Sequence, residues 1–383
     1  MNSIVARGVV MTAASLVSCL ALGCAYGDSF PEVISSVAEY EKRVDLSGDL
    51  GEPEGAEPGE SGDTGGEAGE TGGVSASADG AGDASGSTPR SCVSGAEGAG
   101  QNCGVTGDDD CCAVLEVPGG TFNRMNDPAY PATVSAFGLD KYPITVGRFR
   151  AFMEAGGGTQ QQPPVPGSGA NPYTHGRDTG WDPAWNAWLP ADAGALMAAL
   201  KCDIYGAWNT WSDAPGAREK KPIVCVTYYE LRAFCAWDGG FLPTEAQFNH
   251  AAVGGSEQRP YPWGDDESGV PLRAGYDCLG DGSVSQNCKP GDITDVGKFP
   301  LGVGRWGHMD LSGIAYNTTI DSVDDYLPKV PCNDCVRYDN GTGTITWSGS
   351  WVAKLFKLKN DFRAGYGKDA RRYYRSGRCA RAL

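Results

Sequence analysis

The stretch that decides the fold runs from Pro222 to Gly264 and reads PIVCVTYYELRAFCAWDGGFLPTEAQFNHAAVGGSEQRPYPWG. It contains two threonines that are each followed three residues later by a glutamate or glutamine, the pattern of a capping box at the start of a helix. Paired glycines follow at 239–240 and 254–255. Glycine ends helices because it adopts the left-handed conformation without a steric penalty from Cβ. The pattern predicts two short helices joined by a turn at 241–243.

The two predicted helices begin at these capping boxes. The first follows Thr227, whose partner is Glu230, and the second follows Thr244, whose partner is Gln247, and continues through Ala252. The first helix has an apolar face at the i, i+3, i+4 spacing, formed by Leu231, Phe234 and Cys235.

The composition divides the chain into an acidic tether and a globular part. The chain has 383 residues and a formal net charge of −17. Residues 47–90 contain ten acidic residues, one basic residue and almost no large apolar side chain. Because such a segment cannot bury enough apolar surface to offset its conformational entropy, we expect residues 24–90 to form a disordered Gly/Ser-rich tether. The acidity also argues against nucleic-acid binding, which needs clustered Lys and Arg.

The N-terminus resembles a bacterial lipoprotein signal peptide over residues 1–23. Arg7 is the only charge before the apolar run 8–23, and the run is too short for a comfortable membrane span. Cys24 follows this run and is the predicted lipidation site, and Cys19 is the alternative. Lipidation of Cys24 with removal of Cys19 leaves twelve of the 14 cysteines, an even number, which favours Cys24. An ordinary secreted protein that is cleaved elsewhere is the remaining alternative.

Each of these routes exports the chain, so disulfides are permitted and the cysteines are predicted to be structural. Four of them cluster in residues 91–112, ahead of the folded domain, and are predicted to tie down its start: Cys92, Cys103, Cys111 and Cys112. Proximity in the sequence suggests three further bridges: Cys202–Cys225, Cys278–Cys288 and Cys332–Cys335. The last pair has the spacing of redox and zinc motifs, but no second pair with zinc spacing follows it, so a disulfide is favoured.

The folded domain is predicted to span residues 113–383. Val114–Phe122 has the pattern of a strand and a turn, and Val134–Thr145 alternates like a half-buried strand. Thr145 is then placed to cap a helix. Between Gln160 and Trp211 the density of Pro, Gly, Asn and Trp predicts a long structured loop, and loops of that length are often functional.

These elements resemble the sulfatase-modifying-factor family, whose best-known members are the formylglycine-generating enzymes. The stretch quoted above is similar to the family signature. Further matches follow in family order at 117–122, 134–145, 296–300, 302–313, 347–351 and 377–381. The resemblance implies an α+β domain that is irregular, loop-rich, similar to C-type lectins and stabilised by disulfides. It also implies a disulfide between Cys235 and Cys379, which match the family cysteines that join the central helix to the C-terminus.

The same resemblance implies where the copper-binding cysteines of the family would lie in this chain. Formylglycine-generating enzymes oxidise a substrate cysteine with oxygen, using two cysteines that bind copper(I), an ion that thiolates suit. The corresponding positions are Ala353 and Leu358, and no cysteine lies between Cys335 and Cys379. We therefore expect no copper and no parental oxidase activity.

The resemblance also implies a calcium site and a pocket. The family's calcium-binding glutamate aligns with Asn317, whose amide oxygen can coordinate calcium without charge. Calcium held by Gly313, Ala315 and Asn317 is one alternative, and a buried turn without metal is favoured. The former pocket is expected to involve Trp306, Ser350, Trp351 and Arg378.

Catalytic residues are harder to assign than the pocket. Ser350 matches the family's active-site serine, but a serine in such a turn is commonly structural. His308 near Asp310 is a weaker candidate for acid–base chemistry. The histidines are isolated in the sequence and do not form the His-x-x-x-His-x-Glu motif of the family's iron-binding branch.

The leading hypothesis is an exported cell-envelope lipoprotein, held at the periplasmic face or outer surface by its lipid. Its domain would serve as a binding or scaffolding module for a peptide, protein or glycan. The alternative is an active oxidoreductase that modifies proteins or peptides with altered catalytic residues. A purely structural envelope protein is the third possibility.

Overall fold

The computed structural model describes residues 88–202, 208–282, 288–323, 331–339 and 341–383. The predicted signal peptide, both candidate lipidation sites and nearly all of the predicted tether lie outside these residues. The described part mixes short helices and short strands, and turns and irregular segments connect them over most of its length. The prediction of an irregular, loop-rich α+β domain is therefore confirmed.

Four α-helices and a set of one-turn to two-turn 3-10 helices occur in the described residues. The α-helices are α1 (Val146–Glu154), α2 (Ala193–Ala199), α3 (Tyr228–Trp237) and α4 (Glu245–Val253). The 3-10 helices are Arg90–Cys92, Arg124–Asn126, Pro172–Thr174, Pro183–Trp188, Gly255–Glu257, Val270–Leu272, Pro290–Asp292, Pro300–Gly302 and Leu355–Leu358.

The strands form four small sheets within the described ranges. The strands are β1 (Gln101–Cys103), β2 (Asp109–Asp110), β3 (Val114–Val117), β4 (Gly120–Asn123), β5 (Pro131–Val134), β6 (Phe137–Asp140), β7 (Tyr316–Ser322), β8 (Cys332–Asn333), β9 (Gly343–Trp347), β10 (Arg363–Gly367), β11 (Arg375–Ser376) and β12 (Ala380–Arg381). Their orders are β10-β9-β7-β11, β12-β6-β3, β4-β5-β8 and β1-β2. The pairs β7–β11 and β5–β8 are parallel, and the others are antiparallel.

Both predicted capping boxes are present. Thr227 accepts a hydrogen bond from the Glu230 amide, and the Glu230 carboxylate accepts one from the Thr227 amide. Thr244 and Gln247 make the same reciprocal pair at the start of α4. Gly254 ends α4 with a φ of +68°, which is the left-handed conformation expected there.

Two elements differ from their sequence patterns. All four residues of β6 are buried, rather than one face only, because Phe137 and Leu139 pack into an apolar cluster while Asp140 on the other face is covered by Arg148 and Arg381. The region 160–211 contains α2 and the 3-10 helices Pro172–Thr174 and Pro183–Trp188 in addition to loop. Helix α2 begins at Asp192, whose carboxylate accepts from the Ala195 amide. Its short and mostly exposed sequence has too weak an apolar periodicity to be recognised.

The core consists of two large apolar clusters. One packs α1 against α3, with Phe149 and Phe234 stacked at 5.9 Å between ring centroids. The other packs α4 against β5, β6 and β9 and includes Phe248 and Trp347. The helices of the 222–264 stretch therefore each anchor one half of the core.

A buried ionic cluster holds the cysteine-rich segment against the domain. Arg148 on α1 donates to Asp140 at 2.9 Å and to Asp238 at 2.7 Å, and Arg381 also donates to Asp238 at 2.8 Å. The Ser91 amide donates to Asp238, and Ser91 Oγ accepts from Arg148 Nε. All of these side chains are buried. Because breaking a buried ion pair leaves an uncompensated charge, this cluster fixes the position of residues near Ser91.

Six disulfides join the cysteines of the described part. They are Cys92–Cys112, Cys103–Cys111, Cys202–Cys225, Cys235–Cys379, Cys278–Cys288 and Cys332–Cys335. These pairs agree with the three suggested by proximity and with the one implied by the family resemblance. The four cysteines of the 91–112 segment pair among themselves.

The Cys235–Cys379 bridge should contribute most to stability. It closes a separation of 144 residues, whereas Cys332–Cys335 closes only 3. A bridge restricts the unfolded chain more strongly when its loop is longer. The double variant Cys235→Ala/Cys379→Ala should therefore lose about 3–5 kcal/mol of unfolding free energy in urea titrations.

The matched control is Cys332→Ala/Cys335→Ala, which should lose no more than about 2 kcal/mol. Equal losses in the two double variants would contradict the loop-length argument.

Candidate functional site

The candidate site lies where three segments are joined through their backbones. The Gly313 amide donates to the Ser348 carbonyl at 2.8 Å, and the Trp351 amide donates to the Ile314 carbonyl at 3.1 Å. The Cys278 amide in turn donates to the Trp351 carbonyl at 2.8 Å. The turn at 312–315, the loop at 348–353 and the turn at 276–278 therefore form one bonded unit.

Four non-glycine residues of this unit have left-handed backbone conformations: Asp277, Cys278, Ile314 and Ser348. Ile314 has a φ of +57° and Ser348 a φ of +74°. This conformation is uncommon for residues with a side chain and is a clear outlier for β-branched isoleucine. Strained positions persist where the surrounding structure holds them, and they cluster at functional sites and switch regions. The backbone bonds to Gly313, Ile314 and Ser348 supply that restraint here.

The two positions that the resemblance assigns to the family's copper ligands are Ala353, in this unit, and Leu358, just after it. Ala353 is buried, and its carbonyl accepts from the Asp277 amide at 2.9 Å. Leu358 ends the 3-10 helix Leu355–Leu358 and is fully buried in an apolar cluster with Tyr261 and Tyr276. Neither side chain has an atom that can coordinate a metal ion, so this pair does not fit a copper ion. Leu358 instead packs the core.

The predicted calcium ligands are engaged with protein donors. Asn317 Oδ1 accepts from Arg378 Nε at 3.1 Å, and Asn317 Nδ2 donates to the Ala315 carbonyl at 3.3 Å. The Gly313 carbonyl accepts from the Ala315 amide at 2.6 Å. The Arg378 guanidinium is thus bound to the Asn317 amide oxygen that a calcium ion would need as a ligand. The set Gly313, Ala315 and Asn317 does not fit calcium in this arrangement.

Arg378 is a structural residue in this fold. Its Nη1 donates to the carbonyls of Asp140 and Lys141, and its Nη2 donates to those of Met309 and Asp310. With the bond to Asn317, these contacts use all five N–H donors of the guanidinium. Because Arg378 is also fully buried, it has no donor left for a ligand.

The remaining pocket candidates are separated into different clusters. Trp306 is half-buried and stacks on His250, with 5.4 Å between ring centroids, and the Arg305 guanidinium lies over its ring. Trp351 is fully buried in another cluster and donates from Nε1 to the Tyr373 carbonyl at 3.2 Å. The four residues expected around the pocket thus do not share one exposed surface.

Ser350 keeps one feature of an active-site residue. Its hydroxyl is buried and has no hydrogen-bond partner within the described residues, and the same holds for Ser348 Oγ and Trp347 Nε1. Buried polar atoms are nearly always paired, so three such atoms in one short segment need an explanation.

His308 and Asp310 are both buried next to Arg378. Burial, with a further contribution from the Arg378 cation, lowers the pKa of His308 to about 3. Burial raises the pKa of Asp310 to about 6, against the opposing effects of the Gly297 amide and Arg378. His308 is therefore neutral at physiological pH and shielded from solvent, which disfavours acid–base chemistry on an external substrate.

An exposed aromatic cluster was missed in the sequence. Trp188 lies on the surface and stacks on Tyr229 at the start of α3, with Trp181 and Trp185 behind them. The three tryptophans follow an i, i+4, i+7 spacing, which is the signal that could have revealed one shared face.

The buried neutral His308 should affect acid stability. The unfolded chain takes up this proton near pH 6.5, whereas the folded chain takes it up only near pH 3, so stability is lost as the pH falls through this window. His308→Gln replaces the imidazole with a side chain that takes up no proton in this pH range. The advantage of the wild type over His308→Gln in unfolding free energy should therefore shrink by about 3 kcal/mol between pH 7 and pH 4.

Chemical denaturation of both proteins at the two pH values measures this difference. The raised pKa of Asp310 acts in the opposite direction, but Asp310 is present in both proteins and largely cancels. A difference that does not change with pH would show that the folded state binds the proton as readily as the unfolded state.

Comparison with known proteins points to one family. The model of the sulfatase-modifying factor enzyme 1-like domain matches residues 105–383. Hercynine oxygenase of Mycobacterium tuberculosis is 26% identical over 242 residues, which cover 62% of this chain and 50% of the relative. The chain thus spans about half the length of that relative.

Two further relatives carry the formylglycine-generating name. The formylglycine-generating enzyme of Mycobacterium tuberculosis is 29% identical over 239 residues, covering 54% of this chain and 73% of the relative. The inactive C-alpha-formylglycine-generating enzyme 2 of Mus musculus is 27% identical over 175 residues, covering 40% and 51%. Because the family model matches well over half of the chain, this protein belongs to the sulfatase-modifying factor family.

Proposed function

We propose that this chain is a membrane-anchored, extracytoplasmic lipoprotein whose sulfatase-modifying factor domain lacks the copper-binding pair and serves as a binding or scaffolding module. Its ligand would be a peptide, a protein or a glycan. The domain would be carried on the acidic tether and held at the membrane by a lipid on Cys24.

The observation that supports this proposal is the chemistry of the two residues that the resemblance aligns with the family's copper ligands. Ala353 offers no donor atom, and Leu358 is fully buried in an apolar cluster. A site of this kind cannot hold a soft cation, because copper(I) needs thiolate or thioether ligands. A relative named as inactive shares 27% identity with this chain, which is in keeping with a family domain that has lost its oxidase activity.

The proposed location is supported by the cysteines. The six disulfides of the described part suit an oxidising compartment. The described residues include no helix that is long and apolar enough to cross a membrane. The membrane anchor in this proposal is the lipid that the Leu20–Cys24 sequence would receive.

The second candidate function is an oxidoreductase that acts on proteins or peptides with altered catalytic residues. The observation in its favour is the buried, unpartnered hydroxyl of Ser350, together with the strained backbone of Ile314 and Ser348. Unpaired polar atoms and strain in one unit are features of functional sites. Relatives named as an oxygenase and as a formylglycine-generating enzyme share the domain.

An oxidation assay separates the two candidates. The mature protein is incubated with copper(I), oxygen and a sulfatase-type Cys-x-Pro-x-Arg peptide, and the peptide is followed by mass spectrometry. We expect no conversion of the cysteine to an aldehyde, because Ala353 and Leu358 cannot bind the ion. Conversion at a rate comparable to a working family enzyme would overturn the proposal and favour the oxidoreductase.

The matched variant is Ala353→Cys/Leu358→Cys, which restores two thiols at the family positions. Competition with a copper(I) chelator should show binding by this variant and none by the wild type. Equal binding by both proteins would show that other residues hold the ion. An unchanged circular dichroism spectrum would establish that the variant is folded.

The lipid anchor is tested by metabolic labelling with an alkyne fatty acid. Cys24→Ser should abolish labelling and release the protein from membranes, whereas Cys19→Ser should leave both unchanged. The reverse result would move the lipidation site to Cys19. Labelling of neither wild type nor variants would indicate an ordinary secreted protein.

A further inference from the structure

Trp188 stands out on the surface of the domain. Its side chain is 52% exposed, and it is the one aromatic among the exposed large apolar residues of the described part, the others being valines and leucines. Exposed tryptophan is costly to leave in water, and Trp is the residue type most enriched at binding hot spots. An exposed tryptophan alone does not form a binding site, so the residues that hold and surround Trp188 must also suit a ligand.

The support of Trp188 is rigid and preformed. Its ring lies parallel to the ring of Tyr229, at 5.6 Å between centroids and an interplanar angle of 9°. Tyr229 covers one face of the indole, so the exposed surface of Trp188 includes the opposite face. Tyr229 itself is buried in the first turn of α3.

The 3-10 helix Pro183–Trp188 holds the tryptophan in place. Asp182 caps this helix by accepting from the Ala184 amide at 2.9 Å, and Pro183 pre-sets its first turn. Trp181 Nε1 donates to Asn186 Oδ1 at 2.8 Å, and this bond ties the helix to the core. A ligand would therefore meet a surface that needs little ordering on binding.

A second layer of aromatic rings lies beneath Trp188 and Tyr229. Trp185 contacts Tyr229 at 5.9 Å and Tyr228 at 6.2 Å between centroids. The guanidinium of Arg232 lies 5.5 Å from the Trp185 ring and is bound by both carboxylate oxygens of Asp178. This buried cation is already neutralised, so the layer adds no net charge to the surface above it.

Two exposed carboxylates lie on the segments that adjoin this aromatic pair, and the nearby guanidinium of Arg371 is paired with Glu230. The Tyr228 amide donates to the Lys368 carbonyl at 2.9 Å, which places the exposed Asp369 beside the first turn of α3. Asp369, after burial, contributes to raising the pKa of Tyr229. Asp182 is exposed at the start of the 3-10 helix that ends at Trp188, whereas Lys368 and Arg232 are buried.

We propose that Trp188, stacked on Tyr229 and flanked by Asp182 and Asp369, is a binding platform for a cationic side chain, a guanidinium or ammonium group of a basic peptide segment. The free indole face attracts a cation through the ring quadrupole, and indole is the strongest of the aromatic rings in this respect. The exposed carboxylates add Coulomb attraction, and the net charge of −17 draws basic partners toward the protein. This inference rests on the proposed binding role and names a ligand class for it.

A neutral pyranose is the competing occupant, since sugars also pack on flat aromatic faces. The two carboxylates at the edges of the platform favour a cation over a neutral ring, because only the cation gains from their charge. The choice between them is an outcome of the test.

The test uses the mature full chain and two probes, acetyl-Gly-Arg-Gly-amide and methyl glucopyranoside. Binding is followed at low ionic strength through the indole N–H resonance of Trp188, which Trp188→Leu identifies by its loss. The arginine peptide should shift this resonance, and the glucoside should not. Shifts with the glucoside alone would overturn the cationic assignment.

Variants of Trp188 separate a cation–π contact from apolar packing. Trp188→Leu retains apolar surface without an aromatic face and should weaken peptide binding at least about threefold by calorimetry, as should Trp188→Ala. Trp188→Tyr should restore part of the affinity. Asp369→Asn should weaken binding further when combined with Trp188→Leu, and added salt should reduce the contribution of Asp369.

Leu301→Ala is the matched control, because Leu301 is 53% exposed at a place away from the platform. It should leave the affinity unchanged. Equal affinity of wild type and Trp188→Leu for the peptide would show that the acidic tether, present in every variant, accounts for binding and would overturn the proposal. The copper assay is independent of Trp188, so failure here and failure of the proposed loss of oxidase activity are distinguishable.

Discussion

The buried guanidinium of Arg378 joins three parts of the chain that are far apart in the sequence. Its donors satisfy the carbonyls of Asp140 and Lys141 at the end of β6, those of Met309 and Asp310, and the amide oxygen of Asn317 on β7. The adjacent Cys379 is bonded to Cys235 on α3. The C-terminal segment thus closes the domain, because without it these buried oxygens would lose the guanidinium as a hydrogen-bond partner and two sheets would lose their shared anchor.

Arg378 also determines what Asn317 can do in the candidate site. Where the family resemblance implies a calcium-binding glutamate, this chain has Asn317, and the amide oxygen accepts from Arg378 instead of a metal ion. Leu358 fills an apolar cluster in place of a copper ligand. In this chain both side chains are buried in the interior. The strain at Ile314 and the unpaired hydroxyl of Ser350 persist in the backbone unit that surrounds these positions.

The surface that we associate with binding lies on a different element. Trp188 belongs to the long segment between α1 and α3, and its platform is built from a 3-10 helix and the first turn of α3. Segments of this kind vary in structure more easily than the sheets they cover, since few backbone bonds depend on them.

Local patterns in the sequence were sufficient for the capping boxes of α3 and α4, for the disulfides between near neighbours and for the missing thiols at Ala353 and Leu358. Each depends on residues a few positions apart or on the identity of one side chain. The sequence did not reveal the short helix α2, the complete burial of β6 or the pairing of Arg378 with distant carbonyls. The pairing of Arg378 is decided by contacts between segments that are 61 to 238 residues apart, because a buried donor takes whichever acceptor the closed fold brings to it. The placement of Trp188 on Tyr229 is of the same kind, since only the packing of the long loop against α3 brings the two rings together.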